Sequence, residues 1–307
     1  MRFEKQLNAY AKINLFLYMS GYRDDGYHLL YSLMQSVELS DVVRISVSEN
    51  ESSDANVLSY SLSGLLINDT GRNSVMDAIE LYMNAVSENG YKVHANIDKR
   101  IPDRAGLGRG SADAAAALTL INEAFSNRLS QESLAELGLA VGADVPFALR
   151  GGAVLCRGVG EIMNDVPPFS GLHILLIKPD IGISTVQAYQ AFDRIRGESL
   201  RQSPRTFDDV DFIDDFSEDV VLRVNNKKAS WGNDFESVAF DSFPVLSDIK
   251  SFLLNNGAIY ASMSGSGSTM FGCYSDEKSL ETAFQEAKNR FGSTGFFIEK
   301  TKTVPRK

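Results

Sequence analysis

The sequence predicts an α+β fold, and three observations carry that prediction. Val43, Ile45 and Val47 alternate with Arg44, Ser46 and Ser48, the period-two pattern of a half-buried strand. Val75, Ala78, Ile79, Tyr82 and Val86 recur at helical spacing and define one apolar face. A glycine-rich turn then runs into Ala114, Ala115, Leu118, Ile121 and Phe125, which mark a second helix.

In chain order, Leu58, Tyr60 and Leu62 repeat the strand pattern, residues 74–87 read as the first amphipathic helix, and Tyr91 to Ile97 alternates again. Residues 172–178 form an apolar run that stops at Pro179, as a buried strand would. Leu280, Phe284 and Ala287 predict a late helix, and Gly295–Lys300 a strand after it. There is no repeat and no coiled-coil heptad. Organisation is weakest between about 195 and 230. The acidic run Phe207 to Asp219 there reads as a solvated, locally helical connection rather than a metal site. The glycine-rich stretch Arg150–Gly160 suggests a boundary near residue 160, giving domains of 1–160 and 161–307.

The chain has 307 residues, 44% hydrophobic and 23% charged, values of a globular protein with a large core. A net charge of −10 disfavours nucleic acid as the main partner, because a phosphate backbone demands a basic face. It leaves a nucleotide substrate open, since one local loop suffices to hold a phosphate. Cys156 and Cys273 stand in no metal or redox spacing. The apolar stretch Ile13–Met19 is short, interrupted by Asn14 and preceded by Lys12, so it is neither a signal peptide nor a membrane span. The expected location is cytoplasmic, with a small-molecule partner and no membrane partner.

The most informative segment is Ile101, Pro102, Asp103, Arg104, Ala105, Gly106, Leu107, Gly108, Arg109, Gly110 and Ser111, with the helix behind it. Closely spaced glycines let the backbone approach an anion that a Cβ would keep away. The helix start then adds free N–H groups and its dipole, which together make a phosphate cradle. Ser111 can cap the helix, contact a phosphate or ligate a metal. On spacing alone a flexible capped turn is an equal reading. Two other phosphate loops do not fit. A P-loop needs Lys before the final Ser, and Gly110 stands there. A dinucleotide loop follows a strand directly, whereas the polar stretch Asp98–Arg104 intervenes.

This loop resembles the phosphate-binding motif of the GHMP kinases. Ala9 to Leu15, including Lys12 and Asn14, is similar to their first motif, and Ser262 to Ser268 to their third, in the same order. The resemblance implies a ribosomal-protein-like N-terminal domain, a ferredoxin-like C-terminal one, and a site in the cleft between them. Arg23, Asp24, Asp25, Gly26, Tyr27 and His28 form a narrower match. It resembles the branch of the family that acts on 4-(cytidine 5′-diphospho)-2-C-methyl-D-erythritol, in the non-mevalonate route to isoprenoids. Asp98–Arg100, Gly142–Phe147 and Asn233–Glu236 fit that branch too. The implied reaction is phosphorylation of the 2-hydroxyl with ATP and Mg²⁺. Three departures stand out: Arg109 where glycine is usual, Ser74 where an apolar residue is common, and Arg104 where a small one is.

Carried over residue by residue, the resemblance makes Asp144 the base and Lys12 its cationic neighbour. Spacing alone reads Asp144 as the N-cap of a helix beginning at Val145 and Pro146. Pro102, Gly106, Leu107, Gly108, Arg109, Gly110 and Ser111, with Asn73 and Lys99, are implied at the nucleotide. Arg109 is expected to point outward, to the phosphates or to solvent. Asn14, Asp144, Thr185, Gly265, Ser266 and Gly267 are implied at the substrate. Tyr27 and Tyr189 are implied on the faces of the cytosine, with His28 at its polar edge. The residues from Ser264 to Ser268 also fit a plain hairpin link, and Tyr189 an ordinary core tyrosine. A mevalonate or homoserine kinase is the rival within the family, and the segment Arg23–His28 speaks against it. A silent ligand-binding relative would not need both Lys12 and Asp144.

Overall fold

The computed structural model describes residues 2–50, 55–64, 73–167, 169, 172–207 and 231–306. The expected acidic connection lies outside the described residues beyond Phe207. The chain divides by packing into two compact units that interleave in sequence. The first holds residues 1–11, 39–103 and 108–150, and the second holds 12–38, 104–107 and 151–307. The division near residue 160 follows sequence order; the units follow packing.

Strand β1 (Arg2–Tyr22) and strand β2 (His28–Glu49) pair as a long hairpin. Its turn is closed by Arg23 N–H to the Tyr27 carbonyl (2.7 Å) and Gly26 N–H to the Arg23 carbonyl (2.8 Å). Gly26 takes φ +89°, a conformation that glycine adopts without steric cost.

In the first unit, residues 42–49 of β2 pair antiparallel with β4 (Tyr91–Lys99), which pairs parallel with β3 (Val57–Gly64). The parallel link needs a crossover, and helix α1 (Ser74–Val86) supplies it. Its buried Val75, Ala78, Ile79, Tyr82 and Met83 are the face that the apolar spacing predicted. Helix α2 (Arg109–Ala124) buries an alanine run against α1, small side chains that let two helices approach closely. Helices α3 (Gln131–Val141) and α4 (Val145–Arg150) complete the layer on this sheet.

In the second unit, residues 30–35 of β2 pair with β5 (Ala153–Gly158), which pairs with β6 (Ile162–Asp165). A separate antiparallel sheet has the order β10–β7–β9–β8, with β7 (His173–Lys178), β8 (Tyr260–Met263), β9 (Met270–Tyr274) and β10 (Phe297–Lys302). The last strand starts two residues later than expected, because Gly295 is left-handed (φ +76°) and follows a short 3₁₀ turn. Helix α5 (Thr185–Phe192) continues through a π-helical turn (Asp193–Gly197) into α6 (Glu198–Gln202). Helices α7 (Glu236–Ser242), α8 (Pro244–Asn255) and α9 (Glu277–Phe291) share a core with Leu17, Met19, Leu175 and Ile177. The result is the α+β class expected from sequence, built on two sheets.

Candidate active site

Three segments that are far apart in the chain meet within the second unit. Lys12 N–H on β1 donates to the Leu107 carbonyl at 3.0 Å. Thr269 N–H donates to the Ala105 carbonyl at 3.2 Å, and the Ser264 hydroxyl to the Gly106 carbonyl at 2.8 Å. Gly106 has φ +72°, and a Cβ there would lie 2.0 Å from the Ser264 carbonyl oxygen, so only glycine fits. The residues from Ser264 to Ser268 do link β8 to β9, as a hairpin, while also clasping the first half of the glycine loop.

Side chains reinforce this junction. Lys12 Nζ donates to Asn14 Oδ1 at 2.6 Å, and Asn14 Nδ2 to Ser32 Oγ at 2.8 Å. The Ser32 hydroxyl passes on to the Phe16 carbonyl, so Asn14 is locked in one orientation. A Cβ on Gly265 would come within 3.2 Å of Lys12 Nζ, which puts the ammonium against that turn. Asn233 Nδ2 donates to the carbonyls of Met263 (2.7 Å) and Gly265 (2.8 Å), holding the turn from below. The buried Glu236 carboxylate accepts from the Ser262 hydroxyl and from Met263 N–H. Thr185 Oγ1 and Ser266 Oγ lie 3.1 Å apart, so the start of α5 also touches it. Arg104 is left-handed (φ +46°) with its side chain against Gly182.

The second unit also gathers the aromatic candidates. Tyr27 is 62% exposed, with the Arg23 guanidinium 5.0 Å over its ring. The His28 side chain is only 13% exposed. Its ring lies 4.5 Å from that of Tyr189 and 4.7 Å from that of Tyr22. Tyr189 meets Phe235 edge-on at 4.9 Å. Asp193 Oδ1 is 2.7 Å from His28 Nε2 and accepts from the Tyr22 hydroxyl at 2.5 Å. Burial would raise the Asp193 carboxyl, but the bonds from Tyr22 and His28 and the nearby positive charge hold it below its ordinary range. Burial, helped by Asp193, pushes the Tyr22 phenol up to about 12.

In the first unit, the second half of the glycine loop opens α2. Gly108 is its N-cap in the left-handed region, and no side chain caps it, so the first N–H groups stay available. The Ser74 hydroxyl donates to the Gly110 carbonyl at 2.8 Å, tying the start of α1 to that of α2. Asn73 caps α1 through Val75 N–H at 2.9 Å. A Cβ on Gly142 would come 3.5 Å from Ser111 Oγ, so the residues leading into Asp144 lie beside this hydroxyl. Asp144 precedes α4, and its carbonyl accepts from Ala148 N–H at 3.0 Å. Pro102 is half-buried at the loop's start.

Beneath the loop lies a buried charge cluster. Lys99 pairs with Asp113 and, at 3.2 Å, with Asp41. Asp41 Oδ1 also accepts from the N–H groups of Arg100 and Ile101, which anchors the strand that leads into the loop. Burial pushes the Asp113 carboxyl up to about 7; Lys99 pulls it back and Asp41 pushes it further up. Arg109 does not point to solvent. Its side chain is only 11% exposed, and its guanidinium stands 3.9 Å from Asp41 and 3.7 Å from Asp103. The buried Asp41 carboxylate and the exposed Asp103 carboxylate both attract the cation at the helix start. Asp41, Asp113, Ser32 and Asp193 went unread in the sequence, because a single acid or hydroxyl in a strand or helix has no spacing signal.

The comparisons with known proteins agree with this architecture. Residues 73–152 match the GHMP kinases N terminal domain, and residues 221–293 the GHMP kinases C terminal domain. A 4-diphosphocytidyl-2-C-methyl-D-erythritol kinase from Clostridium perfringens is 34% identical over 303 residues, covering 96% of this chain and 98% of its own. One from Thermoanaerobacter pseudethanolicus is 35% identical over 303 residues, with 98% and 96% covered. A solved 4-(cytidine 5′-diphospho)-2C-methyl-D-erythritol kinase superposes with a TM-score of 0.71 at 27% identity, covering 97% of this chain and 99% of that one. A mevalonate kinase from L. major shares the fold, with a TM-score of 0.72 at 14% identity over 99% and 97%. The fold and the domain matches define a kinase of the GHMP class. Within that class, the chain belongs to the 4-diphosphocytidyl-2-C-methyl-D-erythritol kinase family.

Proposed function

We propose that this chain transfers the γ-phosphoryl group of ATP to the 2-hydroxyl of 4-(cytidine 5′-diphospho)-2-C-methyl-D-erythritol, as a cytoplasmic enzyme of isoprenoid synthesis. One observation supports the reading above all others: the clasp of Ala105–Leu107 by Lys12 and by the Ser264–Thr269 turn. Phosphoryl transfer is mostly positioning and charge stabilisation. A glycine loop pinned at three backbone points meets that need. In this reading, Gly106, Gly108, Gly110 and Ser111 hold phosphate oxygens with backbone N–H groups and a hydroxyl. Ser111 is the hydroxyl at that helix start that would meet a Mg²⁺ carried with ATP, which would neutralise phosphate charge. Asp144 takes the proton of the substrate hydroxyl, directly or through one water. The Lys12 ammonium, oriented by Asn14, steadies charge developing on the transferred oxygens. Tyr27, Tyr189 and His28 hold the cytosine, and the turn Gly265–Gly267 with Thr185 holds the substrate's polar middle.

The test is substrate choice. Purified protein is incubated with ATP, Mg²⁺ and each candidate alcohol separately, and ADP is followed. The cytidine-diphospho alcohol should be turned over, and mevalonate and homoserine should not, because a base clamp contributes nothing to a substrate without a base. Equal turnover of mevalonate would reject the reading.

A further inference from the structure

The segment Gly232–Glu236 ties two parts of the second unit together. Its backbone lies beside β1: Leu17 N–H donates to the Gly232 carbonyl and Asp234 N–H to the Leu17 carbonyl, both at 2.9 Å. The Asp234 carboxylate accepts from Met19 N–H at 2.8 Å, which fixes the register. This is the strand that carries Lys12 and Asn14. Between those two ties, the Asn233 side chain reaches the turn after β8. Its Nδ2 donates to the carbonyls of Met263 and Gly265, and its Oδ1 accepts from Phe235 N–H at 2.9 Å. Two acceptors at one end of the amide and a donor at the other admit a single orientation. Asn233 is 6% exposed, so these bonds are shielded from water.

Gly265 is where the two parts meet. It has φ +57°, and a Cβ on it would stand 3.2 Å from Lys12 Nζ and 3.2 Å from the Gly106 carbonyl oxygen. A peptide packed that closely, with its carbonyl bonded to Asn233, has little room to shift. Resting on the reading that the Lys12 ammonium steadies charge in the transfer step, we propose that Asn233 is a positioning residue for catalysis: its amide sets the Gly265 peptide, and that peptide sets where the ammonium stands. A charge contributes most to catalysis when it is already in place as the reaction begins.

The experiment compares three variants by steady-state kinetics and thermal unfolding. Asn233→Asp keeps the shape and the acceptor for Phe235 N–H, and turns the donor into an oxygen facing two carbonyls. Its kcat for the cytidine-diphospho alcohol should fall by about 100-fold, with the KM for ATP changed by less than about threefold, because the ammonium acts on charge that develops in the transition state. Asn122→Asp is the matched control. Asn122 is also buried and also makes three hydrogen bonds, with the Leu129 carbonyl, Leu129 N–H and the Tyr82 hydroxyl, in the first unit. That variant should melt at a lower temperature and keep a kcat near wild type. Gly265→Ala leaves Asn233 intact and pushes a methyl group at the same ammonium. Its kcat should fall by about tenfold or more. Combined with Asn233→Asp, it should cost less than the product of the two, since both act through one contact. Near-normal kcat in folded Asn233→Asp, or a loss no greater than that of Asn122→Asp, overturns the proposal while leaving the kinase reading intact. Near-normal kcat in folded Gly265→Ala does the same, even where Asn233→Asp does not fold. A wild type that does not turn over the cytidine-diphospho alcohol overturns both.

Discussion

Asp144 stands where backbone geometry and chemistry make separate demands. Its carbonyl begins the hydrogen bonding of α4, the place of an N-cap residue, and the proposed mechanism needs its carboxylate as a base. One substitution separates the two. Asn caps a helix about as well as Asp but cannot take a proton at neutral pH. Asp144→Asn should lower kcat by about 10²–10⁴-fold, with substrate KM and melting temperature nearly unchanged. Steady-state kinetics alongside thermal unfolding will decide, and a folded variant with near-normal kcat rejects the base. At this scale the sequence named candidates where a residue type stood inside a motif, as Lys12, Asn14 and Asp144 do. It was silent on the partners. Ser32 locks Asn14 from another strand, and Asp193 holds His28 across 165 residues. For Arg109 the loop sequence carried no sign of the Asp41 carboxylate beside it.

At the level of elements, periodicity carried most of the information. The apolar spacing of α1 and the alternation in β2, β3 and β4 each stated a buried face directly. The alanine-rich start of α2 concealed more, because among its buried residues is an ionisable one, Asp113. Asp113 with Lys99 and Asp41 joins α2 to β4 and β2 beside the glycine-rich loop. Its carboxyl is raised to about 7, above the value an unfolded aspartate has. The folded protein thus keeps a proton that the unfolded chain has already lost. Stability from this group is therefore lost as pH rises from the ordinary aspartate range towards about 7, and levels off above that. Asp113→Asn abolishes that dependence. Relative to wild type, the variant should gain stability between about pH 5 and about pH 7.5, by roughly 1 kcal/mol or more. Urea unfolding of both proteins at the two pH values measures the change. A difference that stays constant, or moves the other way, contradicts the assignment.

The molecule as a whole is less modular than its sequence order suggests. Residues 12–38 and 104–107 pack in the same unit as residues 151–307, although more than a hundred residues separate them from most of it. The core of that unit takes Leu17 and Met19 from β1, and β5 takes its partner from residues 30–35 of β2. The glycine turn after β8 depends on Ala105 and Gly106 for two hydrogen bonds. None of this was readable from composition or spacing, because long-range pairing leaves no local trace. It has a consequence for fragments. A chain of residues 161–307 retains the four-stranded sheet but loses the strand that covers part of its core and the loop that fills its turn. Each large core side chain left exposed typically forfeits about 1.5–3 kcal/mol, and a whole domain is stable by only about 5–15 kcal/mol. Losing Leu17, Met19 and their neighbours together consumes most of that margin. The fragment should therefore show no cooperative thermal transition and poorly dispersed amide resonances, whereas the intact chain unfolds with a sharp one. Adding a peptide of residues 1–49 should restore order in part, because it returns both long strands. A fragment that melts cooperatively alone, with dispersed resonances, would show that the second sheet and its helices are self-sufficient and that residues 12–38 only decorate them.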